Sequence, residues 1–264
     1  MDFHALISLY ACSTVEDVQY KLSKKFEMKD FGELHYILGI EVSWLKKGDI
    51  FISQQKYLHS ILDRFGMISS KPVSTPMEST LKLTNEHGVP YDATLYRQLI
   101  GSLIYLTITQ PDTCFAVNTL AQFMQAPKVS HWIAAKRVLR YLKGTPSLGI
   151  LYGGDMINIH GYSDSDYTAN LVDRKSISGN AFFLDTGAIS WSSKKQNTIS
   201  LSSTEAEYKS LTTSACESIW LQRCLQELGF YASGQPTPIL CDNTSAEALA
   251  NNPVMHQRTK HIEV

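Results

Sequence analysis

Residues 157–166 read Ile157-Asn158-Ile159-His160-Gly161-Tyr162-Ser163-Asp164-Ser165-Asp166, and this stretch decides the fold of the second half of the chain. Ile157, Ile159 and Tyr162 alternate as a half-buried strand would, and the run ends in two carboxylates. Downstream, residues 181–184 and 189–192 are β-rich and flank Asp185-Thr186-Gly187, which predicts a hairpin with a tight turn. Residues 204–228 carry a helical period, with Tyr208, Leu211, Ala215 and Ile219 on one face. Residues 238–241 form a short apolar strand, and 244–251 a short helix. Strand, hairpin, helix, strand, helix is a mixed α/β order.

Four acidic residues stand at the ends of three of these elements. Asp164 and Asp166 close the first strand. Glu207 lies in the first turn of the long helix, and Asp242 ends the following strand. In α/β sheets, groups at strand C-termini and helix ends converge on one edge. Carboxylates gathered there suit Mg²⁺, because hard cations take oxygen ligands. Two such ions, about 3.5–4 Å apart, activate a water and stabilise the leaving oxygen in phosphodiester cleavage. Each residue also has a plainer role. Asp164 and Asp166 can simply end a strand. Glu207 can complete a capping box with Thr204, and Asp242 can cap the helix that starts near Thr244.

Upstream, Val15, Val18, Leu22 and Phe26 predict a helix over 14–27, with Thr14 as its N-cap. Residues 34–42 and 50–53 read as a hairpin joined through Lys46-Lys47-Gly48-Asp49. Tyr57, Ile61, Leu62 and Phe65 mark a helix that Gly66 ends. Residues 69–92, with Pro72, Pro76 and Pro90, read as a loop or linker. Helices follow over 93–109, 112–125 and 130–143, the last with Trp132, Ala135, Val138, Leu139 and Leu142 on one side. Gly149, Gly153 and Gly154 place a boundary near 145–155.

Composition bounds the function. The 264 residues are 44% hydrophobic, and 24 basic against 25 acidic side chains leave a net charge of −1. Bulk charge therefore does not announce a nucleic-acid binder. The basic residues nevertheless cluster, at Lys136, Arg137, Arg140 and Lys143, at Arg174 and Lys175, and at Lys194 and Lys195; solvated faces are the plain reading. Five scattered cysteines form no Cys-x-x-Cys pair, which argues against a zinc site or disulfide framework and for a reducing, intracellular setting. No run is long enough to span a membrane, and residues 1–10 lack the pattern of a signal peptide.

Six blocks in the second half combine into one pattern: Gly161 to Asp166, Arg174-Lys175-Ser176-Ile177-Ser178-Gly179, Ile189-Ser190-Trp191-Ser192-Ser193-Lys194-Lys195-Gln196, Leu201 to Tyr208, Cys241-Asp242-Asn243-Thr244-Ser245-Ala246, and Arg258-Thr259-Lys260-His261-Ile262. They resemble the RNase H of copia-type retrotransposon Pol polyproteins. The first half is similar to the same polyproteins. The block from Phe26 to Val42 resembles the end of a polymerase palm with its primer-grip hairpin. Lys71 to Met77, Tyr96 to Leu106 and Ala135 to Thr145 resemble the thumb and connection.

The resemblance implies a palm remnant with the start of a thumb over 1–78, a helical thumb or connection over 79–150, and an RNase H-like mixed sheet with helices over 155–264. It implies that Asp164, Glu207 and Asp242 are catalytic and hold two Mg²⁺ or Mn²⁺ ions, with Asp166 outside the set. The implied partner is an RNA/DNA hybrid, and the basic clusters become contacts to its phosphates. The family carries a Tyr-Val-Asp-Asp type turn upstream of the primer grip. Nothing like it precedes Thr14, so no DNA polymerisation is expected. The family also continues past Val264 to a fourth RNase H carboxylate, so three of four ligands and weak cleavage are expected, with Glu263 nearest the gap.

Two other readings compete. Phe183-Leu184-Asp185-Thr186-Gly187-Ala188 resembles the active-site loop of aspartic proteases, but a second paired Asp and a protease-sized β-rich surround are lacking. The alternative to an active nuclease is an inactive retrotransposon remnant, at most a nucleic-acid-binding module.

Overall fold

The computed structural model describes residues 32–78, 80–81, 83–84, 88–154, 158–169, 173–229 and 236–251. The helix expected over 14–27, the start of the strand at Ile157, the block from Arg258 and Glu263 lie outside the described residues.

The first sheet has the order β1-β2-β3-β4, with β1 at Tyr36–Ile37, β2 at Ile40–Trp44, β3 at Ile50–Ser53 and β4 at Ile150–Tyr152. The run over 34–42 is therefore not one strand. Leu38 (φ 49°) and Gly39 (φ 86°) both take the left-handed conformation and turn the chain back on itself. Two positive-φ residues make the tight turn that matches strand twist, and the Tyr105 hydroxyl donates to the Leu38 carbonyl to hold it. Ile40, Val42, Ile50, Ile52 and Ile150 form the buried side of this sheet.

Four helices build the largest core: α1 at Gln55–Arg64, α2 at Ala93–Leu106, α3 at Cys114–Ala121 and α4 at Val129–Gly144. The α1 helix ends as its Gly66 requires. Gly66 has φ 63°, its N–H donates to Asp63 and that of Met67 to Leu62, the paired bonds of a Schellman motif. Asp92 caps α2 by accepting from the N–H groups of Thr94 and Leu95. Tyr96 is fully buried, and its hydroxyl donates to the Leu120 carbonyl at 2.8 Å. A buried phenol needs such a partner.

His131, also fully buried, stacks on Phe123. Its Nδ1 accepts from the Lys128 N–H, and its Nε2 lies 3.2 Å from the Thr84 carbonyl. Burial pushes its pKa below 6.5, the nearby Lys128 charge adds to this, and the Thr84 bond opposes it. The unfolded chain takes up this proton near pH 6.5, and the folded chain resists it. The stability that His131 contributes is thus present above pH 6.5 and is lost as pH falls. The melting-temperature gap between the native chain and His131→Leu should shrink between pH 7.5 and 5.5. A constant gap would mean that His131 is not held neutral.

The second sheet has the order β7-β6-β5-β8. The β5 strand spans Ile159–Asp166, β6 Ile177–Leu184, β7 Gly187–Lys195 and β8 Ile239–Leu240. The first three run antiparallel in a meander, and β8 joins β5 in parallel, with Gly161 opposite Ile239. Helix α5 (Ser203–Glu227) lies across this sheet, and α6 spans Thr244–Asn251. This is a mixed α/β fold.

Two expectations about faces are corrected. Tyr162 is 48% exposed and lies on the opposite face from Ile159, Gly161 and Ser163, which turn toward α5. An alternating strand puts 159, 161 and 163 together, so residue 162 belongs to the other side. On α5 the buried stripe is Ala206, Ser210, Ser214, Ser218, Leu221 and Leu225, whereas Ile219 is 49% exposed. Small hydroxyl residues let the helix approach the sheet closely. The Ser210 hydroxyl finds the Asp164 carbonyl on the sheet and that of Ser214 the Ser210 carbonyl one turn back in the helix, so an apolar-only search selects the wrong stripe. A Cβ on Gly161 would stand 2.4 Å from the Phe182 ring, which explains glycine at that point of the strand.

The two sheets are joined by several bonds. The Tyr152 hydroxyl donates to the Ala188 carbonyl at 2.9 Å, and the Asn118 amide, from α3, ties the helical core to the second sheet by donating to the Ser193 carbonyl at 3.1 Å. The Asp185-Thr186 turn serves the same junction. The Thr186 hydroxyl accepts from the Gly153 N–H and lies 3.0 Å from the Gly153 carbonyl.

Candidate functional site

The capping roles open to Glu207 and Asp242 are taken by other residues. The N-cap of α5 is Ser202, which accepts from the Glu205 N–H at 3.1 Å, while Glu205 Oε2 accepts from the Leu201 N–H at 2.8 Å. Glu205 therefore completes the cap. Glu207, two residues on, is turned inward at 6% exposure. At α6 the cap is Asn243, whose Oδ1 accepts from the Ala246 N–H at 2.9 Å. Asp242 is left at the end of β8, exposed and free of that duty.

Glu207 is the common member of two close sets at one end of the sheet, one with Asp164 and one with Cys241 and Asp242. The Ser165 N–H lies 2.8 Å from Asp164 Oδ1 and 3.1 Å from Glu207 Oε1, so one donor ties the β5 carboxylate to the α5 carboxylate. Glu207, Cys241 and Asp242 each offer a ligand atom, and these atoms all lie within 4.8 Å of one another. Burial pushes the Glu207 carboxyl up to about 7; the Asp164 and Asp242 charges add to the rise, and the Ser165 N–H opposes it. Asp166 is also raised, by burial and by Asp164. Neither Asp164 nor Asp166 belongs to the group that Glu207, Cys241 and Asp242 form; Asp164 is tied to it through the Ser165 N–H that it shares with Glu207.

Crowded carboxylates without a counter-charge are costly. Among the described residues no ion pair reaches Asp164, Glu207 or Asp242. The donor set is rich in carboxylate oxygen, and a divalent cation fits it. Cys241 is the one member of the group that sequence reasoning missed. Its thiol lies 3.9 Å from Glu207 Oε2, and burial is the main cause that raises its pKa. Its place directly before Asp242 was the available signal.

A groove of about 660 Å³ opens beside the cluster. It runs between the sheet face, with Tyr162, Asp164, Asp166 and Trp191, and the start of α3, with Asp112 and Phe115. The basic clusters are partly committed elsewhere. Arg137 pairs with Glu78 at 2.8 Å, the Arg140 Nε donates to the Lys71 carbonyl, and Lys143 donates to the Ser70 carbonyl. These three side chains pin the 70–78 segment to α4. Lys136 lies over the Trp132 ring at 5.5 Å, and Lys195 pairs with Asp173 at 2.9 Å, beside Lys175. Arg174 and Lys194 are exposed.

The family model described as reverse transcriptase (RNA-dependent DNA polymerase) matches residues 4–79. The retrovirus-related Pol polyprotein from transposon RE2 of Arabidopsis thaliana is 46% identical over 243 residues, 91% of this chain and 17% of that protein. That from transposon TNT 1-94 of Nicotiana tabacum is 40% identical over 257 residues, 92% of this chain and 19% of that protein. The chain belongs to the copia-type retrotransposon Pol polyproteins. An uncharacterized mitochondrial protein of Arabidopsis thaliana is also similar, 40% identical over 202 residues and matched along 84% of its length. The chain spans 17–19% of the length of the Pol polyproteins that it matches. No solved structure gives a significant match. Among the described residues of this copia-type chain, no helix is long and apolar enough to cross a membrane.

Proposed function

We propose that Asp164, Glu207 and Asp242 bind divalent cations and that the second sheet hydrolyses the RNA strand of RNA/DNA hybrids. The observation that carries this reading is Glu207, buried and raised to about 7, which shares the Ser165 N–H with Asp164 and lies within reach of Asp242 just past β8. The meander, crossing helix and parallel fourth strand support it, being the order expected of an RNase H-like sheet. Mg²⁺ or Mn²⁺, two ions in the expected complement, would supply Lewis-acid stabilisation and an activated water.

The chain's own groups hold the site in register. Ser165 orients Asp164 and Glu207 through one N–H. The groove beside Tyr162 and Trp191 gives a hybrid a surface to lie on, and Arg174, Lys175 and Lys194 can meet its phosphates.

Protonation of Glu207 competes with a cation. Below pH 7 each unit of pH should therefore weaken Mg²⁺ binding by up to about tenfold, and above it the dependence should flatten. Calorimetric titrations at pH 6, 7 and 8 would show this; a pH-independent affinity would remove Glu207 from the ligand set. The activity itself is tested with an end-labelled RNA/DNA duplex. Mg²⁺-dependent internal cuts in the RNA strand alone, suppressed by EDTA, are expected. Binding of the duplex without cuts would reduce the reading to a nucleic-acid-binding module.

A further inference from the structure

We infer that Gln196 is a positioning residue for Glu207; this rests on the reading of Glu207 as a cation ligand. Gln196 follows β7 directly and is 9% exposed. Its backbone N–H donates to the Ser176 carbonyl at 2.9 Å, which fixes its Cα to the sheet. Its side-chain Nε2 donates to Ser178 Oγ and to the Ala206 carbonyl, both at 2.9 Å. Its Oε1 accepts from Ser200 Oγ at 2.8 Å. One amide therefore bridges the sheet, the connecting loop and the peptide that leads into Glu207.

The same loop and the sheet also hold the next turn of the helix. Lys209 Nζ pairs with Glu205 at 2.7 Å and reaches Thr198 Oγ1 and Ser200 Oγ at 3.0 and 3.2 Å. Ser210 Oγ donates to the Asp164 carbonyl at 2.7 Å. Helix α5 is thus anchored at 205, 206, 209 and 210, around Glu207. The Ala206 carbonyl is the anchor nearest to Glu207 in the chain. A helix advances 1.5 Å per residue, so a small slip of its first turn moves the carboxylate out of register with Asp164. An error of about 1 Å in such a site costs roughly a hundredfold in rate. Gln196 touches neither the cation ligands nor the groove beside them, so its effect on chemistry is transmitted through the helix.

The full chain is tested with Gln196→Met, which keeps shape and removes every side-chain bond. Gln196→Glu keeps an acceptor but loses both donors. Leu225→Val, remote from the loop in the core under α5, serves as a control for general loss of stability. The first readout needs no metal and no activity. It is the amide resonance of Ser165, whose N–H bonds Glu207. Both Gln196 variants should shift that resonance and speed its hydrogen exchange by about tenfold or more, while Leu225→Val leaves it in place. The second readout is kinetic: kcat on the hybrid should fall ten- to a hundredfold with KM within about twofold. An unchanged Ser165 resonance in both Gln196 variants would overturn the proposal, as would an equal shift in Leu225→Val. A Ser165 shift in a chain that binds no Mg²⁺ would uphold the positioning role and sink the cation reading instead.

Discussion

Glu207→Gln should make the metal-free protein more stable at pH 8 and sharply reduce the proposed hydrolysis of the hybrid. The two effects share one cause. The folded Glu207 carboxyl stands near 7 against 4.5 in a free chain. Between those values the folded state binds more protons than the unfolded one, so stability falls as pH rises from 4.5 to 7 and stays reduced above. A neutral amide of the same shape removes that burden. The melting temperature should rise by several degrees at pH 8, since about 1 kcal/mol shifts it by roughly 2–4 °C at this size. The gain should vanish below pH 4.5. Hydrolysis should fall at least about a hundredfold, because an amide is a poor ligand for a hard cation. A melting temperature that falls at pH 8 would mean that Glu207 is satisfied as a charge without any cation.

Phe182→Ala should lower the stability of the second sheet by about 3–5 kcal/mol. Phe182 is fully buried, packs with Ile159, Leu221 and Leu225, and covers Gly161. This core is much smaller than that of the four helices, so one aromatic side chain is a large share of it. Chemical denaturation followed by fluorescence in a background where Trp44, Trp132 and Trp220 are replaced by Phe, leaving Trp191, reads the sheet. A loss below about 1 kcal/mol would mean that the serine-lined contacts of α5, not the apolar cluster, hold helix and sheet together.

The strand and helix order of the second half was legible because its signals are local. The alternation before Asp164, the Asp185-Thr186-Gly187 turn and the long periodic run over 204–228 each act within a few residues. The places of Asp164, Glu207 and Asp242 at element ends were legible for the same reason. The face of α5 was not legible. Sequence periodicity weights apolar side chains, and here Ser210, Ser214 and Ser218 are buried, with the hydroxyls of Ser210 and Ser214 bonded to carbonyls. The turn at Leu38-Gly39 was hidden for a related reason: a β-rich run does not reveal one leucine held at positive φ by a distant tyrosine. The basic cluster of α4 looked free in sequence. Three of its members bind a loop about sixty to seventy residues earlier, a relation that no local pattern carries. The capping roles of Glu205 and Asn243, which free Glu207 and Asp242 for other work, also needed three dimensions to be seen.

The central claim is that one cation site is shared by β5, α5 and β8, and paramagnetic broadening by Mn²⁺ tests it most directly. Substoichiometric Mn²⁺ is added to the isotopically labelled chain, and amide intensities are followed. The amides of Ser165, Glu207 and Asn243 should broaden first and together, those of Leu99 and Leu139 should stay sharp, and Asp242→Asn should suppress the effect. Broadening centred elsewhere, or broadening that Asp242→Asn leaves intact, would contradict the shared site.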